Sequence, residues 1–202
     1  MSSRPDRRAV WLALADQFLD TETRHSIPPA ALACVEAGHS AEEARDIWRY
    51  EVTPVLWLNL RVTAGEWACW NEEWLADQIA RRRGRWPNRA GRLAALVYRA
   101  RAGAQEVTWT AIERCIRLLA ATPPASRGRT AADLGLLARL YFDFCPEDLG
   151  EIAPERRREL SQLYQAVFLP IFAPLVVPGH GAPESPESAR SCAARVEAAL
   201  LT

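Results

Sequence analysis

Apolar side chains recur at spacings of three and four residues along this chain, and that rhythm excludes most folds at once. Trp109, Ile112, Ile116 and Leu119 form one such set, Leu134, Leu137 and Tyr141 another, and Leu160, Leu163 and Val167 a third. Trp67, Trp70 and Trp74 repeat it with Leu75 and Ile79 beside them, and Trp11, Leu14 and Phe18 carry it near the N-terminus. An α-helix turns once in about 3.6 residues, so each set lies on one helix face. Alternating strand patterns are scarce. The expectation is an all-α, compact multi-helix bundle of about nine or ten short helices.

Helix punctuation agrees with the periodicity. Ser40-Ala41-Glu42-Glu43, Thr63-Ala64-Gly65-Glu66 and Thr110-Ala111-Ile112-Glu113 all have the form of a capping box. Ser185-Pro186 places an N-cap before a proline, and Pro154 is suited to open a helix. Gly38, Gly84 and Gly103 are expected helix stops, since glycine accepts the left-handed conformation. The segments 122–129 and 178–184, rich in proline, glycine and small residues, read as exposed linkers.

A weak internal repeat is visible. Residues 47–56 (IWRYEVTPVL) can be laid on 163–172 (LYQAVFLPIF), each with an aromatic second position and a proline followed by two apolar residues. Upstream, 12–20 resembles 136–144, with Phe18 over Phe142. Either two related helical lobes pack together, or helix-proline-apolar is an idiom used twice. The 202 residues fit one domain or two small halves. The expected division is an acidic, Trp-rich helical lobe over 1–86 and an Arg-rich, then mixed, helical lobe over 87–202, packed as one globular unit.

Charge is zero overall but unevenly placed. Asp16 to Asp77 holds twelve acidic residues against four Arg, net −8. Arg81 to Arg129 holds twelve Arg against two Glu, net +10, and Thr130 to Glu155 is net −5 with six acids and one Arg. The simplest account is that the acidic lobe packs against the basic middle. The alternative is that one block faces a partner and steers its approach.

Composition removes several chemistries. All 25 basic residues are Arg, so Schiff-base catalysis, a phosphate-loop lysine and a Ser-x-x-Lys nucleophile are excluded. The five cysteines are widely spaced with no C-x-x-C and read as buried, reduced thiols. Arg7-Arg8 before an apolar run has the outline of a signal peptide, but the Trp11, Leu14, Phe18 stripe favours a first amphipathic helix. The longest uncharged apolar run, near 166–178, is short for a bilayer span and is broken by Pro170 and Pro174. The expected location is the cytosol, with no membrane partner.

No metal, cofactor or catalytic residue is expected. His25, His39 and His180 are not at metal-ligand spacing. His25 reads as a solvated loop residue and His39 as a turn residue. The string 176–181 (VVPGHG) resembles a segment carrying one zinc-binding histidine in the metallo-β-lactamase fold, whose other histidines and strands are missing here. Asp16 and Asp20 are four residues apart, as are Glu73 and Asp77, and each pair is expected to share a helix face. Such carboxylates admit a metal-dependent enzyme as an alternative. A solvated acidic face is the simpler reading.

Residues 10–22 (VWLALADQFLDTE), 51–60 (EVTPVLWLNL) and 64–75 (AGEWACWNEEWL) together resemble an uncharacterised bacterial family, a domain of unknown function. The resemblance covers about the first eighty residues and implies a small cytosolic helical domain with no established activity to carry over.

Three functions compete. The favoured one is a non-enzymatic protein that binds another protein, of the kind that inhibits or regulates a bacterial toxin or effector. Its expected contact residues are Asp16, Asp20, Glu22, Glu72, Glu73, Asp77 and Trp70, and its partner is a basic protein such as a nuclease. Nucleic-acid binding through Arg81 to Arg129, with Trp86 and Tyr98 stacking on bases, is disfavoured by the zero net charge. The carboxylate-dependent metal enzyme is third.

Overall fold

The computed structural model describes residues 7–19, 23–56, 71–85, 103–143, 152–175, 193–194 and 196–200. Among the described residues there is no strand, and the fold is all-α. Helix α1 is Arg7–Ala15 and α2 is Ile27–Glu36. Helix α3 covers 41–56: Ala41–Ile47 runs through a π turn, Trp48–Val52, into Thr53–Leu56. Helix α4 is Glu72–Arg85 and α5 is Gly103–Ala121. Helix α6 joins Pro124–Ala138 to a second π turn, Arg139–Asp143. Helix α7 covers 154–172, as Pro154–Leu163, a third π turn Tyr164–Phe168, and Leu169–Phe172. A short α8 occupies 196–200. These are eight helices among the described residues, slightly fewer than the nine or ten expected, and three of them run on into π turns.

The π turns explain how two helices pass an internal proline. A proline in a regular helix lacks an N–H and drives its ring into the carbonyl four residues back. Here Thr53 donates to the carbonyl of Trp48, and Leu169 to that of Tyr164, each five residues back. The widened turn lies immediately before Pro54 and Pro170 and gives each ring room. The aligned segments 47–56 and 163–172 therefore share a conformation as well as a pattern. The upstream pair does not: α1 ends in a 3₁₀ turn, Asp16–Phe18, while the counterpart ends in a π turn. The carbonyl of Pro170 faces a second deficit, since the residue four ahead is Pro174, which has no N–H to offer. Arg114 of α5 supplies the donor, Nη1 to Pro170 O at 2.6 Å.

The helix ends show where punctuation was read well. Gly38 has φ 74°. Its N–H donates to Val35 at 3.0 Å, and the N–H of His39 donates to Cys34 at 2.9 Å, which closes α2 in a Schellman motif. Ser40 and Glu43 form the reciprocal capping box of α3, at 3.2 Å and 2.9 Å. Pro154 opens α7. Three expectations are corrected. Gly103 begins α5 and does not end a helix. Thr110 is inside α5, where its hydroxyl donates back to the carbonyl of Glu106 at 2.8 Å, so it caps nothing. The linker expected over 122–129 shrinks to two residues, because Pro124 starts α6. Arg127 then folds back onto the carbonyls of Leu119 and Thr122, at 3.0 Å and 3.1 Å, and satisfies the end of α5. The capping sequences at 63–66 and 185–186, the linker 178–184, the string 176–181 and the boundary at 86/87 lie outside the described residues.

Packing centres on α2. Its Ala30, Ala31 and Cys34 are fully buried, and these short side chains let α5 and α6 lie close along it, with α1 on another side. One continuous apolar core then runs from Val10 to Leu200. The stripes Trp11, Leu14 and Phe18, Trp109 to Leu119, and Leu134 to Tyr141 are all buried, as periodicity requires. In α7 the buried residues are Leu160, Tyr164, Phe168, Ile171 and Phe172, whereas Leu163 and Val167 are half-buried. The inserted π-turn residue rotates the stripe. Trp48 of α3 stacks on Trp109 of α5 at 4.9 Å, and Phe168 stacks on Phe172 at 4.5 Å.

Candidate docking face

Helix α4 carries Glu72, Glu73 and Asp77, half of the acidic residues singled out above. Asn71 caps it: its Oδ1 accepts from the N–H of Trp74 at 2.9 Å. Leu75, Ala76 and Ile79 turn inward and are buried. Of the expected Trp67, Trp70, Trp74 stripe only Trp74 can be placed, in the α4 that Asn71 caps and that begins at Glu72; Trp67 and Trp70 lie outside the described residues. Trp74 is in the first turn, about 100° round from Leu75, and is 48% exposed. Glu73 and Asp77 are exposed on the same outward side. Asp77 accepts from Arg81 at 3.1 Å, a pair so exposed that it contributes little to stability. Glu72 and Glu73 also suit the positive end of the helix dipole, which gives them a structural role besides any contact.

Asp16 and Glu72 come together where α1 packs on α4. Burial pushes the Asp16 carboxyl above its ordinary value, and the charge of Glu72 adds to that. His25 acts in the opposite direction from the 3₁₀ turn Arg24–Ser26. His25 is therefore half-buried beside a carboxylate, not a solvated loop residue. The helix that carries the approach to Asp16 does not continue toward Asp20. Helix α1 ends at Ala15, the 3₁₀ turn ends at Phe18, and Leu19 is extended with ψ 152°. Asp20, Glu22 and Trp70 lie outside the described residues. So the structure unites Asp16 with Glu72, and groups Glu73 and Asp77 around Trp74.

The basic block is spoken for within the chain wherever its side chains are described. Arg82 donates to the carbonyl of Pro54, Arg114 to that of Pro170, and Arg127 to the end of α5. Arg129 pairs with Glu159 at 2.7 Å. Arg117 pairs with Glu113 at 2.6 Å and reaches Glu42 of the acidic block at 3.8 Å. The closer junction between the blocks has the opposite polarity to the one their net charges suggest. Arg45 and Arg49, from the acidic block, hold Glu106, from the basic one, at 2.9 Å and 2.6 Å. Trp86 and Tyr98 lie outside the described residues.

Two residues matter more than the sequence alone indicates. Glu51, in the first π turn, accepts from the Trp11 indole at 2.6 Å and pairs with Arg7, tying α3 to α1. Glu106 is gripped by two arginines one turn apart on α3. Each partner lies forty or more residues away, beyond the reach of any local pattern. Cys34 and Cys115 are free and buried, and burial pushes both thiols up to about 12. Among the described residues no three His, Cys, Asp or Glu side chains gather as metal ligands, and no helix is long and apolar enough to cross a membrane.

No curated protein and no solved structure matches this chain. One family model does, described as a domain of unknown function (DUF7079), over residues 5–115. The match runs from ahead of α1 to Cys115 within α5, well past the first eighty residues that carry the resemblance. It spans more than half of the 202 residues, and the chain belongs to the DUF7079 family.

Proposed function

We propose that this protein binds another protein and performs no bond-making itself, as an immunity-type inhibitor or regulator of a bacterial toxin or effector. The observation that carries the reading is Trp74, half in solvent at the start of α4 between the exposed carboxylates of Glu73 and Asp77. A large aromatic with only two side-chain torsions is a low-entropy anchor, and burying it is a common source of affinity. Acid around it favours a basic partner and speeds the encounter at low salt. Asp16 and Glu72 extend the negative region along the α1–α4 junction.

The test is co-expression with the products of the neighbouring genes, followed by binding kinetics on any pair that forms. Trp74→Ala is expected to weaken the complex by about 2 kcal/mol, roughly thirtyfold in Kd. Glu73→Arg with Asp77→Arg is expected to slow association at low salt and to matter less at high salt. Unchanged affinity and protection in both variants would remove this face from the function.

A further inference from the structure

Arg156, Arg157 and Arg158 follow one another in the first turns of α7 and do three different things. Arg156 pairs with Asp133 of α6 and, at 2.7 Å, with Glu159. Arg157 folds back, its Nε donating to the carbonyl of Ile152 at 3.1 Å, which fixes the approach to the helix. Arg158 is exposed and has no ion pair or hydrogen bond within the described chain, although Glu155 precedes it by one turn. Every other arginine whose side chain is described has a partner.

Arg158 borders an open hollow of about 450 Å³ between α7 and α8. Ser161 and Gln162, three and four residues on, share its face of the helix and line the same hollow, and their side chains likewise make no hydrogen bond within the described chain. Ile152 and Leu200 form the apolar side. One turn further along, Gln165 donates to Glu197 at 2.7 Å, which joins the two helices beyond the hollow. A free guanidinium, a hydroxyl and an amide along one helix face, with two aliphatic side chains lining the same hollow, match a ligand with two unlike ends.

We infer that this hollow binds a small amphipathic anion. A carboxylate or phosphate head sits on Arg158, with Ser161 and Gln162 donating, and a short aliphatic part lies against Ile152 and Leu200. The volume is within the range of small-molecule sites. A guanidinium recognises carboxylate and phosphate oxygens with the same two-pronged geometry, so the two heads are separated by experiment. The site is remote from the α4 face in its residues and does not depend on the proposed function.

Calorimetric titration of the full chain with hexanoate, hexyl phosphate, inorganic phosphate and 1-hexanol tests it. Hexanoate or hexyl phosphate is expected to bind saturably at one site, and the tighter of the two identifies the head group. Inorganic phosphate and hexanol, each lacking one end, are expected to bind at least about tenfold more weakly. Arg158→Gln should weaken the better probe about tenfold or more, while Arg129→Gln, on α6, leaves it unchanged. Thermal melts of both variants check that they fold. No saturable binding up to about 10 mM, or equal binding by Arg158→Gln, would overturn the inference.

Discussion

Removing the Glu51 carboxylate should separate a hydrogen-bonded strut from a mere surface ion pair. Glu51 lies in the first π turn with its side chain only 13% exposed. It holds the indole of Trp11, itself 8% exposed, at 2.6 Å, and pairs with Arg7. Alanine deletes both contacts and strands a largely buried indole N–H. A lost hydrogen bond to a charged group costs about 1.5–3 kcal/mol, and the partly exposed Arg7 pair about 0.5–1 kcal/mol. The expected total is roughly 2–4 kcal/mol, or about 4–16 °C in Tm for a chain of this size. Glutamine keeps an acceptor for the indole and loses only the ion pair, so Glu51→Gln should fall by about 1–4 °C. Paired thermal and urea unfolding of Glu51→Ala, Glu51→Gln and Trp11→Phe, with the double variants, isolates the indole bond. If the alanine and glutamine variants fall equally, and by under about 1 °C, the strut has no energetic weight and this reasoning fails.

Other outcomes follow from the same structure. Asp16 titrates above its ordinary value when folded, so the folded state keeps a proton that the unfolded chain releases. Stability should therefore fall as pH rises from about 3.8 through the folded value. Asp16→Asn should flatten that slope and raise Tm at neutral pH, and a variant less stable than wild type at pH 7 would count against the assignment. Glu106 behaves oppositely. Burial raises its carboxyl, but Arg49 and Arg45 outweigh burial and hold it below the usual range. Its contribution should be present above about pH 4.5 and fade as pH falls through the depressed folded value, and Glu106→Gln should lose that dependence. At Gly38, with φ 74°, alanine meets open space but a strained backbone, so Gly38→Ala should cost about 1–2 kcal/mol by urea unfolding. The thiols of Cys34 and Cys115, pushed up to about 12 by burial, should resist iodoacetamide in the native protein and react once it unfolds. Labelling of either in the native state at the unfolded rate would contradict their burial.

Much of the helical scaffold was written locally. Period alone marked Trp109, Ile112, Ile116 and Leu119 as one buried face, because side-chain direction in a helix repeats whatever lies beyond it. Gly38, Ser40, Glu43 and Pro154 announced their helix ends because a cap is a contact between near neighbours, or a matter of one residue's own backbone freedom. The same local signs misled at Thr110, where a hydroxyl chose a carbonyl one turn back. They misled again at Trp74, whose exposure depends on where Asn71 starts the helix.

What the tertiary structure decided are relations between distant residues. The net charges of the acidic and basic blocks suggested a pairing of acid on one side with arginine on the other, yet Arg45 and Arg49 close on Glu106 in the reverse sense. Total charge constrains an average field, while a salt bridge depends on which two side chains the packing of α3 on α5 brings face to face. Likewise a proline such as Pro54 or Pro170 does not by itself say whether a helix ends or passes it, and the core decided. Burying Trp48, Val52 and Leu56 in one half, and Tyr164, Phe168 and Phe172 in the other, favours widening the helix over ending it. Sequence determines which faces are apolar and where turns are permitted. Only the assembled core, where each helix completes the surroundings of the others, determines which permitted option is used.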